Sequence, residues 1–198
     1  MGILDSIANF LSGVPPRFLV DEGVFVRGID MNRRTSDGRI TPHWGVDIGA
    51  PEGTPAHAFR AGTVLLSRPV RGYGNVVMIR HDDGQTSSLY AHLHDSVVRE
   101  GQRVGAQELV AHTGTTAIGQ QVTFDANGVP TSSGEMSGGA VGDSVGPHLH
   151  WELHPVPIPN MAPNFRRLDP VAALRRERPQ AVALFARRRR MRGDMAVA

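Results

Sequence analysis

The stretch GPHLHWE, residues 146–152, places two histidines one residue apart in a segment that ends in a tryptophan and a glutamate. Side chains alternate between the two faces of a β-strand, so a strand here presents both imidazole rings on one face. A second stretch, HWGVD at residues 43–47, adds a third histidine and an aspartate. Imidazole nitrogen and carboxylate oxygen are both zinc ligands. If the fold brings the two stretches together, they form a metal site with an acid–base residue beside it.

The rest of the sequence is typical of a turn-rich β protein. It contains 23 Gly and 14 Pro among 198 residues, and both residue types favour turns. Short apolar runs at 64–66, 75–80 and 86–92 are separated by glycines and by the Asp83-Gly84 pair, a strong hairpin signal. We therefore expect a mainly β fold, with a single antiparallel sheet or half-barrel.

The composition predicts three parts. They are an N-terminal helix and lead-in segment (1–39), a central domain (40–155), and a Pro-rich linker with a helical, basic tail (156–198). The helical spacing of apolar residues covers positions 3–12. Within the domain, residues 116–145 are rich in Gly, Ser, Thr and Asn, and this predicts a long loop insertion that ends beside the second histidine motif.

Positive charge is concentrated in the C-terminal part. All 21 basic residues are Arg, and residues 166–198 contain 10 of them against 3 acidic residues. Asp169-Pro170 predicts the N-cap and first position of a helix there. The Arg187–Arg190 run suits an anionic polymer or an acidic partner. It lacks interleaved aromatic residues and a nucleic-acid-binding motif, so we expect no nucleic-acid binding.

Several classes of site and segment are excluded. The sequence has no cysteine, so a metal must be held by His, Asp or Glu. No segment is long and apolar enough to span a membrane. The first basic residue is Arg17, and the early apolar stretch is interrupted by Asp5 and Asn9, so no secretory signal is evident.

Spacing alone leaves several arrangements of the nine histidines open. Three protein ligands plus a water make a catalytic zinc site, but spacing does not decide which histidines provide the ligands. It also leaves open a structural site or no site. The candidate groups are His43 with Asp47, His92 with His94, and His148 with His150.

The order of the motifs resembles that of the lysostaphin-type (LytM-domain) metallopeptidases. The resemblance covers about residues 40–155 and rests on several motifs in the family's order, at 43–55, 61–64, 72–77, 89–93, 98–110 and 146–152. It implies a LytM-like domain that binds one zinc ion. It also implies endopeptidase activity on peptide bonds in the stem peptides or cross-bridges of bacterial peptidoglycan.

The resemblance also implies a role for each motif residue. It makes His43, Asp47 and His150 the metal ligands, and it makes His92 and His148 the catalytic histidines. Zinc would lower the pKa of a bound water and polarise the scissile carbonyl. The two catalytic histidines would move a proton and stabilise the developing oxyanion, and which of them is the general base stays open.

Three other histidines near the motifs are expected to have no role in the chemistry, and the role of Glu152 is open. His94 is expected to lie outside the site although it shares a strand face with His92. His81, beside the Asp82-Asp83-Gly84 turn, and His154, near a Pro-rich turn, are expected to be exposed. Glu152 either orients a metal ligand from behind or is a surface carboxylate at a strand edge.

The missing signal suggests how such an enzyme reaches its substrate. We expect a phage or phage-like origin, with release by lysis or carriage in a virion tail, and action on the cell wall in the periplasm or outside the cell. Peptidoglycan is the expected partner, and tail proteins could bind the N-terminal helix or the basic tail. The alternative is a non-hydrolytic structural or assembly component of a phage tail or cell-wall complex. The bond cleaved, the host and the oligomeric state stay open.

Overall fold

The computed structural model describes residues 19–34, 38, 40, 42–70, 72–115, 146–156 and 168–177. The predicted N-terminal helix, the 116–145 loop and the Arg187–Arg190 run lie outside these residues, and the domain boundaries stay a prediction. The described residues form nine strands and one helix. The elements are β1 (Val24–Arg27), β2 (Val46–Gly49), β3 (Pro55–His57), β4 (Gly62–Val70), β5 (Gly74–His81), β6 (Thr86–Ser96), β7 (Arg103–Val104), β8 (Leu109–Thr113), β9 (His148–Pro155) and α1 (Pro170–Glu177).

All nine strands belong to one antiparallel sheet. Along the sheet the order is β1-β2-β9-β6-β5-β4-β7, and β8 pairs with both β3 and β6. The last strand in sequence, β9, therefore lies between β2 and β6. This arrangement confirms the predicted mainly β fold with a single antiparallel sheet. Within the described residues, no helix combines the length and the apolar character that a membrane crossing requires.

The alternation along β9 separates an apolar face from a polar face. Leu149, Trp151 and Leu153 point into the main core and are at most 2% exposed. Trp151 packs edge-on against Phe59, with ring centroids 5.0 Å apart. We call the other side of the sheet the polar face. On β9 it carries His148, His150, Glu152 and His154.

The polar face also contains a smaller apolar cluster on the neighbouring strands. Leu89 lies opposite Glu152 and Ala91 lies opposite His150, so these four side chains share a face. Tyr73, in the turn between β4 and β5, packs against the cluster. The cluster consists of Leu66, Val70, Val76, Met78, Leu89 and Ala91. The polar face therefore has a buried apolar cluster beside its histidines.

Helix α1 is capped at its N-terminus and joined by an ion pair at its C-terminus to the segment between β3 and β4. The Asp169 side chain accepts hydrogen bonds from the backbone N–H groups of Val171 and Ala172, at 2.8 and 3.1 Å, which confirms the predicted N-cap. At the other end, Glu177 forms a two-point ion pair with Arg60, which follows β3. The apolar side of the helix joins the main core.

Two histidines that were predicted to be exposed are buried. His81 ends β5, is 2% exposed, and its ring nitrogens lie 2.7 Å from Thr86 Oγ1 and 3.0 Å from Ser88 Oγ. His154 is 0% exposed, and its Nε2 lies 2.8 Å from Glu152 Oε2. The predictions were wrong because β5 runs one residue further than expected and β9 continues past its motif. Both residues are therefore paired strand positions.

Protonation of His81 should destabilise the fold. Burial, with a smaller contribution from the Arg60 cation, lowers the pKa of His81 from 6.5 to about 3. The folded protein keeps this ring neutral, whereas the unfolded chain binds a proton below about pH 6.5. The free energy of unfolding should therefore fall as the pH drops from about 6.5 toward 3. From this group, the slope should reach at most about 1.4 kcal/mol per pH unit.

Urea unfolding between about pH 7 and about pH 4 checks this prediction. The comparison is between the wild-type chain and His81→Gln, which retains polar atoms but takes up no proton. We expect the variant's stability to depend less steeply on pH. The slopes are compared rather than the absolute stabilities, because the substitution also changes packing. Equal slopes in the two proteins would contradict the prediction.

Candidate metal centre

The pairing of β2 with β9 brings the two sequence motifs into contact. Asp47 lies directly opposite His150, and Gly49 lies opposite His148. His43 precedes β2 and is held by two backbone hydrogen bonds to Asp30, of 3.0 and 2.7 Å. Side chains 103 positions apart in the sequence thus become direct neighbours.

Three donor atoms converge at this junction. Nε2 of His43 lies 2.9 Å from Oδ1 of Asp47 and 3.0 Å from Nδ1 of His150. The same Oδ1 lies 2.8 Å from Nδ1 of His150. Within the described ranges, this is the one group of three or more His, Asp or Glu side chains whose ligand atoms all lie within 4.8 Å of one another, close enough to hold a metal ion. Two imidazoles and a carboxylate form a zinc-type donor set that leaves one tetrahedral position open.

Burial and neighbouring charges shift the pKa values of this donor set in opposite directions. Burial alone would raise the pKa of Asp47, but hydrogen bonds from His150 and His43 outweigh it and hold that pKa far below its usual value. Burial alone would lower the pKa of His150, but Asp47 and Glu152 outweigh it and raise that pKa to about 9. The Asp47 carboxylate is therefore ionised at ordinary pH, and its negative charge favours a cation among the three donors.

In both histidines of the donor set, the ring nitrogen that faces away from the other donor atoms makes a hydrogen bond of its own. Nδ1 of His43 donates to the backbone carbonyl of Gly28 at 2.7 Å. Nε2 of His150 lies 2.9 Å from Oε1 of Glu152. These contacts fix which nitrogen of each ring faces the donor set. Glu152 itself is 0% exposed, so of its two predicted placements the structure shows the one behind His150.

Two further histidines lie beside the donor set. Nε2 of His148 is 3.9 Å from Oδ1 of Asp47, and its Nδ1 donates to the Gly146 carbonyl at 3.1 Å. Burial lowers the pKa of His148, so its ring is neutral near pH 7, with the lone pair on Nε2. The His92 ring centroid lies 4.8 Å from that of His148 and 5.7 Å from that of His150. All five residues singled out in the sequence are thus brought together.

A β-bulge in β6 determines the direction of the His92 side chain. Ala91 and His92 lie opposite a single residue of β5, and His92 has a φ of +59°, in the left-handed region that few residues other than glycine adopt. Regular alternation would place His92 with Tyr90 in the main core. The bulge instead places it with Ala91 and His150 on the polar face. Nothing in the sequence pattern indicates this bulge.

His92 and His94, which their spacing had made a candidate pair of metal ligands, do not lie together in the structure. His94 is exposed, and its Nδ1 lies 2.8 Å from Oε1 of Glu52, which is also exposed. The structure therefore separates the two histidines by environment: His92 lies beside His148 and His150, whereas His94 lies at the surface in an ion pair.

Gly45 allows the first motif to lie close against β9. A Cβ atom at this position would lie 2.5 Å from the backbone oxygen of Trp151 and 2.9 Å from Cε1 of His150. Such distances are not tolerated, and the closer neighbour is main chain, which does not move aside like the end of a side chain. The absence of a side chain at Gly45 is thus a condition for the approach of His43 to His150.

An antiparallel sheet that joins a His, Asp and His donor set to two further histidines defines a candidate metallopeptidase domain. The sequence model of Peptidase family M23 matches residues 41–163, more than half of the chain. The chain belongs to this family, in agreement with the resemblance of its motifs to the lysostaphin-type enzymes.

The chain is similar to known proteins in sequence and in fold. The DD-carboxypeptidase/endopeptidase Mpg of Neisseria meningitidis is 33% identical over 154 residues, 74% of this chain and 29% of that protein. The peptidoglycan DD-endopeptidase ShyA of Vibrio cholerae is 31% identical over 116 residues, 58% of this chain and 21% of that protein. The catalytic domain of lysostaphin from Staphylococcus simulans has a similar fold, with a TM-score of 0.53 and 21% identity over 77% of this chain and 92% of that domain. The chain thus spans less than a third of these two curated relatives.

Gly45→Ala should separate the donor atoms. The added methyl group would meet the main chain at Trp151, so residues 43–47 must shift away from β9. We expect zinc affinity to fall by about tenfold or more and the thermal unfolding midpoint to decrease. Competition with a chromophoric chelator and calorimetry measure the two effects.

A matched control is Gly105→Ala, because a Cβ there would come no closer than 3.6 Å to the Glu108 side chain. This variant should bind zinc like the wild-type chain. Unchanged zinc affinity in Gly45→Ala would show that the close approach at this glycine does not shape the donor set.

Proposed function

We propose that this chain is a zinc metalloendopeptidase that hydrolyses peptide bonds in bacterial peptidoglycan. The observation that carries the proposal is the convergence of the His43, Asp47 and His150 donor atoms beside His92 and His148. Membership of the M23 family supports peptidase activity. The relative ShyA, a peptidoglycan DD-endopeptidase, supports the polymer as substrate. The bond lies in a stem peptide or a cross-bridge.

In this proposal His43 Nε2, Asp47 Oδ1 and His150 Nδ1 hold one zinc ion. Zinc held by three protein ligands lowers the pKa of a water in the open position and polarises a substrate carbonyl. The protein presents both rings through fixed nitrogens, because Gly28 and Glu152 engage their other nitrogens. His43 and His150 are each 5% exposed, so the surroundings screen the charge at the donor set only weakly.

We assign His148 as the general base. Its Nδ1–H donates to the Gly146 carbonyl, so Nε2 is the atom that accepts a proton. This Nε2 lies on the side of the donor set, 3.9 Å from Oδ1 of Asp47. Burial favours the neutral ring, which is the form that can act as a base. His92, whose ring centroid is 4.8 Å from that of His148, is assigned to stabilise the developing oxyanion.

The alternative, a non-hydrolytic structural or assembly component, would retain the fold without the chemistry. The clustering of all five residues on one face favours the enzyme, because a purely structural role needs neither the donor set nor the two neighbouring histidines. Phage origin, association with a virion tail and partners among tail proteins stay predictions.

Hydrolysis of purified peptidoglycan tests the proposal. The chain should release new peptide amino groups, chelation should abolish the release, and added zinc should restore it. His148→Ala should lower the rate by about 10²- to 10⁴-fold, the usual contribution of a general base. Zinc content should remain unchanged in this variant, because His148 is not among the assigned ligands. An amine-reactive reagent measures the rate, and elemental analysis measures the bound metal.

His94→Ala is the matched control, since His94 is an exposed histidine close in sequence to the site. It should retain both zinc and activity. A wild-type chain that binds zinc but releases no amines would support the non-hydrolytic alternative. Loss of zinc from His148→Ala would contradict the division between ligands and base.

A further inference from the structure

A buried carboxylate on the polar face takes part in none of the catalytic steps proposed above. Glu152 is 0% exposed, and both of its carboxylate oxygens contact polar side chains. Its Oε1 accepts from His150 Nε2 at 2.9 Å and from the Tyr73 hydroxyl at 2.7 Å. Its Oε2 lies 2.8 Å from His154 Nε2. Both carboxylate oxygens are thus held by side chains from β9 and from the turn before β5.

A carboxylate at such a position needs a specific reason. Burial of a charge is unfavourable unless the charge is paired and hydrogen-bonded. The neighbouring strand offers Leu89 directly opposite Glu152, within the small apolar cluster, so an apolar residue would suit the packing. The position nevertheless carries an acid whose partner is one of the assigned metal ligands.

We propose that Glu152, held in place by Tyr73 and His154, is the positioning residue for His150. This inference rests on the proposed zinc site. When a metal ion occupies the donor set, Nδ1 of His150 gives its lone pair to the ion, so the hydrogen of the ring lies on Nε2, where the Glu152 carboxylate accepts it. The lone pair on Nδ1 then points toward His43 Nε2 and Asp47 Oδ1, at 3.0 and 2.8 Å. The carboxylate also makes the ring a stronger electron donor to a cation.

The two histidine ligands are supported differently. His43 donates to the neutral backbone carbonyl of Gly28, whereas His150 donates to a charged side chain. A main-chain acceptor is fixed by the fold, but a carboxylate on a flexible stem must itself be held. Tyr73 and His154 engage different oxygens of Glu152 and so restrict its rotation. The orientation of His150 therefore depends on the side chains of Glu152, Tyr73 and His154, and each of them can be substituted separately.

Tyr73 contacts both Glu152 and His92. Its hydroxyl donates to Glu152, and its backbone carbonyl accepts the backbone N–H of His92 at 2.8 Å. The Tyr73 and His150 ring centroids are 5.7 Å apart. One turn residue therefore contacts the carboxylate behind the metal ligand and the bulge that directs His92. Removal of its hydroxyl should affect the first contact and leave the second.

Zinc affinity of the full chain tests the inference. In Glu152→Gln we expect zinc affinity to fall by about 10- to 100-fold, the range typical when the partner behind a metal ligand is lost. Tyr73→Phe should lower the affinity in the same direction by a smaller factor. Competition with a chelator of known affinity measures both, and the visible spectrum of the cobalt-substituted chain reports the ligand geometry. Glu52→Gln, at an exposed carboxylate that also pairs with a histidine, is the matched control and should match the wild-type chain.

The outcomes separate this inference from the proposed function. A wild-type chain that binds no zinc overturns both. A wild-type chain that binds zinc, together with Glu152→Gln of equal affinity and cobalt spectrum, overturns the positioning role alone. Lower thermal stability of Glu152→Gln with unchanged affinity would show that Glu152 serves only the fold. If Glu152→Gln does not fold, Tyr73→Phe decides, since it removes one hydroxyl: wild-type affinity and spectrum in that variant overturn the inference.

Discussion

The antiparallel pairing of β2 with β9 is the constraint on which the rest of the structure depends. In this register Asp47 faces His150. A slip of one residue would turn every β9 side chain to the opposite face. Trp151 and its two leucine neighbours would then leave the main core, and each buried side chain of that size contributes roughly 1.5–3 kcal/mol. The apolar burial that stabilises the sheet therefore also fixes the geometry of the donor set.

The bulge at His92 is a second constraint, and it acts against local preference. A non-glycine residue at a φ of +59° costs about 1–3 kcal/mol, and it persists only where the surroundings determine the conformation. Here the N–H of His92 is bound by the Tyr73 carbonyl, and Leu93 is locked into the main core. The strain thus lies at His92 itself. With regular alternation and no bulge, the His92 ring would point into the main core and away from the donor set.

Local patterns in the sequence were sufficient to predict much of this structure. Strand alternation, the Asp83-Gly84 turn, the Asp169 cap and the motif spacing all depend on neighbours within a few residues. The burial of His81 and His154 was not predictable in this way, because burial depends on which strands flank a residue. The position of Glu152 stayed open for the same reason. The bulge requires the register of two strands, and no single segment contains that information.

On the polar face, side chains of β2 and β9 form an alternating row of acids and imidazoles. Asp47, His150, Glu152 and His154 follow one another at 2.8, 2.9 and 2.8 Å. Each inner member of the row is bound on two sides, so removal of one takes a partner from both of its neighbours, and substitutions along the row should not be additive. With zinc bound as proposed, the two carboxylates balance the two positive charges of the ion. Three ligands alone would leave a net positive charge in a buried site, and the carboxylate behind His150 completes the neutralisation. The sheet can bury this row because its opposite face supplies the apolar core.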